Sequence, residues 1–81
     1  MEIQFSDEFA KEYRKLTDKA TRLRIIARIR KLALLPESGK PLSHRLKGYR
    51  TVRIPPYRII YRLEGDRLII NCFDHRKSVY T

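Results

Sequence analysis

Two arginines, Arg53 and Arg58, flank the prolines of the segment VRIPPYRIIYR, residues 52–62. Guanidinium groups held close together bind phosphate through forked hydrogen bonds and stabilise the extra negative charge of a phosphoryl transition state. The C-terminal stretch DHRKSVY, residues 74–80, adds three further candidates. His75 can exchange a proton near neutral pH, Arg76 can support it, and the Tyr80 hydroxyl becomes more acidic beside cations. Phe73 or Tyr80 offers a ring face on which an unpaired base can stack. This combination suits RNA cleavage in which the neighbouring 2'-hydroxyl attacks the phosphate without a metal ion. Two histidines far apart in sequence and one cysteine form no convincing metal-ligand set, and no glycine-rich phosphate loop is present. The reading therefore calls for no cofactor.

These residues need a scaffold that brings them together. EIQFS alternates Ile3 and Phe5 with polar neighbours, as a short strand does, and Ser6 followed by Asp7 and Glu8 marks a helix start. Phe9, Tyr13 and Leu16 then form one stripe of a first helix. A second begins after Asp18, with Arg22, Ile25, Ile26, Ile29, Leu32 and Ala33 on one side and Arg24, Arg28 and Lys31 on the other. The two make an antiparallel hairpin. Pro36 ends the second helix, PESGKPLSHRLKG reads as a loop to a new layer, and three strands follow, at about 49–54, 57–63 and 67–73. LIINCF in the last is apolar enough for a central strand. The expected fold is α+β, β-α-α-β-β-β, with a mainly antiparallel sheet packed on a helical hairpin, in one domain spanning residues 1–81.

A two-residue turn at Gly65 and Asp66 predicts the register. It sets Leu63 opposite Leu68, Tyr61 opposite Ile70 and Ile59 opposite Cys72 on a face toward the helices. The other face then carries Arg62 near Ile69, Ile60 near Asn71 and Arg58 near Phe73. The same logic at the prolines pairs Val52 with Ile59 in the core, and Arg53 with Arg58 and Thr51 with Ile60 outside. Like charges directly opposite one another on paired strands destabilise the pair, so the arrangement invites an anion. The double proline is the weak point of this register, because proline is disfavoured at the second central position of a type I turn. Cys72, within an apolar run, reads as a buried thiol that forms no internal disulfide.

Composition narrows the partner. Nineteen lysines and arginines against nine acidic residues leave a net charge of +10, which favours an acidic partner, nucleic acid above all. No apolar run approaches the roughly 20 residues of a membrane span, and MEIQFSDEF does not read as a signal peptide, so a cytosolic protein is expected. Arg24, Arg28 and Lys31, with Lys47, Arg50 and Phe73, are weaker candidates for RNA contact. Each candidate also has an ordinary reading. Arginines on an open sheet face, Arg62 in particular, are usually just solvated; a late tyrosine is as often a packing lid; His44 belongs to a surface loop. The residues alone favour a basic RNA-binding domain over an enzyme.

The element order, with LKGYRTVRI at 46–54, YRIIYR at 57–62 and DHRKSVY at 74–80, resembles the RelE/ParE superfamily of bacterial and archaeal toxins from toxin-antitoxin pairs. The likeness covers nearly the whole chain and implies a microbial-ribonuclease-like fold. RelE-like members cut mRNA in the ribosomal A site; ParE-like members poison DNA gyrase; a small antitoxin covers both kinds. By position, Arg58 matches the arginine that holds the scissile phosphate, and Arg53 a basic residue that is usually lysine in the best-studied branch. Thr51 stands where that branch has another lysine, one general-base candidate. His75 or Arg76 falls near the residue that protonates the leaving 5'-oxygen, and Tyr80 matches a tyrosine that stacks or orients the attacking hydroxyl. The resemblance thus implies a ribosome-dependent mRNA endonuclease neutralised by a cognate antitoxin, the complex binding operator DNA through the antitoxin. A gyrase inhibitor without nuclease activity is the alternative, and an RNA-binding protein that has lost activity a third.

Overall fold

The structure, a computed structural model, describes residues 1–75 and the side chains of residues 1–73. The chain runs through β1 (Glu2–Phe5), α1 (Asp7–Arg14), α2 (Lys19–Leu34), β2 (Lys40–Pro41), β3 (Tyr49–Ile54), β4 (Tyr57–Glu64) and β5 (Arg67–His75). The sheet order is β1-β5-β4-β3-β2. Only β1 against β5 is parallel; the other pairs are antiparallel. The expected α+β order holds, with one strand more than the sequence suggested, because the loop after α2 contributes the two-residue edge strand β2.

Local chemistry explains the helices. Ser6 caps α1 by accepting a hydrogen bond from the Phe9 N–H at 3.0 Å, and Asp7 and Glu8 sit in the positive first turn. Asp18 stands at the N-cap of α2, and its carboxylate accepts from the Thr21 hydroxyl. That bond is the main reason its pKa lies below the ordinary value. Ile25, Ile29 and Leu32 form the buried stripe of α2 and meet Val52, Ile54, Ile59, Tyr61, Leu68 and Ile70 from the sheet. Each such side chain removed from water contributes roughly 1.5–3 kcal/mol before entropy is counted. The stripe is therefore what holds helices and sheet together.

The predicted register holds on the β3–β4 hairpin: Thr51 pairs with Ile60, Val52 with Ile59 and Arg53 with Arg58, and Ile54 and Tyr57 close a loop of Pro55 and a cis-linked Pro56. The Arg24 guanidinium donates to the Pro55 carbonyl at 2.9 Å, tying α2 to that loop. In β4–β5 the register holds only for the first half. Leu63 faces Leu68 and Tyr61 faces Ile70, but then Ile60 faces Cys72 and Ile59 faces Phe73, which leaves Asn71 as the extra residue of a β-bulge. The Ser6 hydroxyl donates to the Asn71 carbonyl, so the α1 cap anchors the bulge. One inserted residue turns every later side chain of the strand over. Cys72 consequently sits in the outer row and is only partly buried, whereas the sequence register put it in the core. Phe73 makes the opposite exchange. It is 5% exposed and packs edge-on against Phe9 and Tyr57, at 5.3 and 5.5 Å between ring centroids. A ring so enclosed is a core element and offers no face to a base.

Tyr61 ties the loop after α2 to the sheet. Its hydroxyl donates to the Pro36 carbonyl at 2.8 Å and accepts from the Gly39 N–H at 2.9 Å. Gly39 has to lack a side chain, since a Cβ there would lie 2.3 Å from the Tyr61 oxygen. Arg50 reinforces the loop by donating to the carbonyls of Glu37 and Gly39 at 3.2 and 2.9 Å. We expect Tyr61→Phe to leave two buried backbone groups unsatisfied and to cost about 1–3 kcal/mol in urea denaturation. Burial raises the Tyr61 pKa above its ordinary value of 10.0. The folded state thus keeps a proton that the unfolded state releases first, so this stabilisation is complete below pH 10.0 and lost as pH rises further. Denaturation midpoints measured through this range should fall more steeply for the wild type than for Tyr61→Phe.

Candidate phosphate-binding site

The outer row of the β3–β4 hairpin carries Thr51 and Arg53 on one strand and Arg58 and Ile60 on the other. Directly opposed residues in an antiparallel pair hold their Cβ atoms roughly 4.5–5.5 Å apart, so Arg53 and Arg58 start from neighbouring points on the same face of the sheet. Arg53 is exposed and Arg58 half-buried. Thr51 is 3% exposed and donates its hydroxyl proton to the Ile59 carbonyl at 3.0 Å. That hydroxyl is engaged with the backbone, and the residue contributes shape rather than charge.

A cavity of about 530 Å³ opens beside this pair, lined by Arg28, Ser38, Lys40, Thr51, Val52, Arg53 and Arg58. Four separate elements build it. β2 pairs only with Thr51 and Arg50, so the edge of β3 beyond Thr51 borders the open space. The loop that Tyr61 and Arg50 hold in place delivers Ser38 and Lys40, and α2 delivers Arg28. Among the described lining residues four are cationic and none is acidic. In a partly desolvated recess such a set attracts anions far more strongly than the same charges spread over the surface. Its charge and shape suit a phosphate with two or three oxygens free to accept forked hydrogen bonds.

The structure redistributes the other sequence candidates. Arg28, which helical periodicity assigns to the solvent side of α2, faces the cavity. Ser38 and Lys40 carried no sequence signal beyond their place in a polar loop. Arg50 and Arg24 spend donors on backbone carbonyls and hold loops, as described above. Lys31 and Lys47 are exposed and line none of this cavity. Arg62 belongs elsewhere: it pairs with Glu64 at 3.1 Å, which raises its pKa, and Glu64 also pairs with Arg67 at 3.1 Å. At four residues along β4 from Arg58, roughly 13 Å, that balanced group is separate from the cationic recess. Backbone register seats Asp74 across from Arg58 and His75 across from Tyr57. The bulge at Asn71 thus puts position 74, not 75, in the row of the two arginines. Arg76 and Tyr80 lie outside the described residues.

The family described as ParE toxin of type II toxin-antitoxin system, parDE, matches residues 3–80. Among curated proteins none matches the sequence. Solved structures are similar over nearly the full chain. The RelBE2 toxin-antitoxin complex of Mycobacterium tuberculosis matches at 28% identity, with 93% of this chain and 96% of that chain covered and a TM-score of 0.72. The RelB-RelE antitoxin-toxin complex of Methanococcus jannaschii matches at 25% identity, with 95% and 94% covered and a TM-score of 0.71. A YoeB/ParE toxin from Agrobacterium tumefaciens, at 23% identity, shares the fold with a TM-score of 0.82 over 94% of this chain and 99% of that one. No helix among the described residues is long and apolar enough to cross a membrane.

An anion seated between Arg53 and Arg58 removes their repulsion, which links binding to stability. At fixed ionic strength, inorganic phosphate should raise the melting temperature of the wild type. Arg53→Gln should lose most of that gain while being as stable as the wild type, or about 0.2–1 kcal/mol more stable, without phosphate. An equal response of both proteins to phosphate would show that the pair is not the binding site.

Proposed function

The chain belongs to the ParE toxin family of type II toxin-antitoxin systems, within the RelE/ParE superfamily, and we propose that it is a ribosome-dependent endonuclease of mRNA. The observation that carries this reading is the pairing of Arg53 with Arg58 at the rim of a cavity whose described charged residues are all basic. A phosphodiester placed there has its non-bridging oxygens against two guanidinium groups. When the neighbouring 2'-oxygen attacks, phosphorus becomes five-coordinate and its equatorial oxygens gain negative charge, which the arginines stabilise more than they stabilise the substrate. The 2'-hydroxyl proton leaves as the new P–O bond forms, and the departing 5'-oxygen takes up a proton as its bond breaks. The products are a 2',3'-cyclic phosphate and a 5'-hydroxyl. The reaction needs no redox partner; beyond the arginines it requires an acid and a base.

For the proton transfers, the resemblance to RelE-like nucleases assigns His75, supported by Arg76, with Tyr80 orienting the base or the hydroxyl. His75 ends β5 one residue beyond the position facing Arg58. The Thr51 hydroxyl, engaged with Ile59, takes no part. A cognate antitoxin is the expected partner, since the similar RelBE2 and RelB-RelE structures are toxin-antitoxin complexes. Its acidic segments would neutralise part of the +10 charge.

The family match itself favours a second reading, inhibition of DNA gyrase, because the matching family is the ParE toxin. Primer extension on mRNA after brief induction in cells, beside an assay for gyrase trapped on DNA, separates the two. Codon-phased cuts without trapped gyrase are expected; intact mRNA with trapped gyrase would reverse the assignment. In a reconstituted translation reaction, Arg58→Ala should lower the single-turnover cleavage rate about 10²–10³-fold. His75→Ala should lower it by about 10² or more. Thr51→Ala should stay within a few-fold of wild type. Unchanged rates for both Arg58→Ala and His75→Ala would sink the site.

A further inference from the structure

The recess is larger, and more widely cationic, than one phosphate requires. Arg53 and Arg58 lie at one end of it, while Lys40 enters from β2 opposite Thr51, two residues back along β3. At a rise of about 3.4 Å per residue and a strand spacing of about 4.8 Å, the backbones at Lys40 and Arg53 are roughly 8 Å apart. Two adjacent phosphates on an extended strand span a comparable distance, so each end of the recess can face its own phosphate. Arg28 lines the same cavity from α2, one turn beyond Arg24, whose guanidinium bonds the Pro55 carbonyl next to the arginine pair, so it lies farther toward the Lys40 end. Ser38, on the other side of Gly39, adds a hydroxyl.

We propose that Arg28 and Lys40, with the Ser38 hydroxyl, form a second phosphate subsite, so that the cavity grips two consecutive phosphates of an RNA strand. This rests on the reading that Arg53 and Arg58 take the scissile phosphate, and it deepens it. A strand fixed at two phosphates cannot pivot about the first, so the subsite sets the direction in which the 2'-hydroxyl approaches. The built character of the loop supports this. Tyr61, Arg50 and the absent side chain of Gly39 hold Ser38 and Lys40 in position before any ligand arrives. With the loop backbone already fixed, only the side-chain rotamers of Ser38 and Lys40 remain to be ordered when a ligand binds.

Two small probes distinguish the subsites on the full chain: uridine 3'-monophosphate, with one phosphate, and uridine 3',5'-bisphosphate, with two. By calorimetry at low salt, the wild type should bind the bisphosphate about tenfold tighter or more. Arg28→Gln and Lys40→Gln should each erase most of that advantage, weakening the bisphosphate far more than the monophosphate, whose retained binding also shows that they are folded. Arg58→Ala should weaken both probes. Lys11→Gln, an equal loss of charge on exposed α1, should alter neither ratio. Equal affinity of the wild type for the two probes, or an effect of Lys11→Gln as large as that of Lys40→Gln, would overturn the second subsite while leaving the Arg53–Arg58 site standing. Failure of the wild type to bind either probe would overturn both.

Discussion

The register of one hairpin governs this molecule. Val52 and Ile59 must face α2 to be buried, and the strict alternation of a strand then forces Arg53 and Arg58 outward together. Neither arginine can leave the row without carrying an apolar neighbour out of the core. Hydrophobic burial, worth roughly 1.5–3 kcal/mol for each large side chain, outweighs a cross-strand repulsion of well under that size. The core thus holds two like charges in a juxtaposition they would not adopt alone, and the proposed phosphate site is built on that juxtaposition.

A second set of interactions decides what surrounds the pair. The loop after α2 carries Lys40 and Ser38, and nothing in its own sequence would keep it in place. Tyr61 reaches it from inside the sheet and Arg50 from the neighbouring strand, each satisfying backbone groups that would otherwise be left without partners. The same residue class therefore does two jobs here. Arg50 and Arg24 position backbone, whereas Arg28, Arg53 and Arg58 line the recess. A count of basic residues does not separate these roles; the location of carbonyl groups does.

Much of the architecture was legible because it rests on periodicity. Helix stripes, the alternating strands and the Gly65 turn all carry signals that short-range pattern contains, and the Arg53–Arg58 pairing followed from them. The bulge at Asn71 was not legible, since LIINCF has no glycine or proline to mark an irregularity and its apolar side chains suit either face. That one residue reversed Phe73 and Cys72. The two-residue strand β2 was hidden as well, its proline and brevity giving the pattern of a loop. Arg28 was legible only as a basic residue opposite the core and a weak candidate for RNA contact: helical periodicity tells which residues avoid the core, not which of them a returning loop and a sheet edge will enclose.

Arg53 and Arg58 are paired across the hairpin, and the proposed site requires them to repel one another in the free protein and to cooperate on a phosphate. A double-mutant cycle with Arg53→Gln, Arg58→Gln and the double variant measures both states in the same proteins, by urea denaturation without ligand and by affinity for uridine 3'-monophosphate. The account predicts an unfavourable coupling energy between the two arginines in folding and a favourable one in binding. Coupling of the same sign in both, or none in binding, would contradict it.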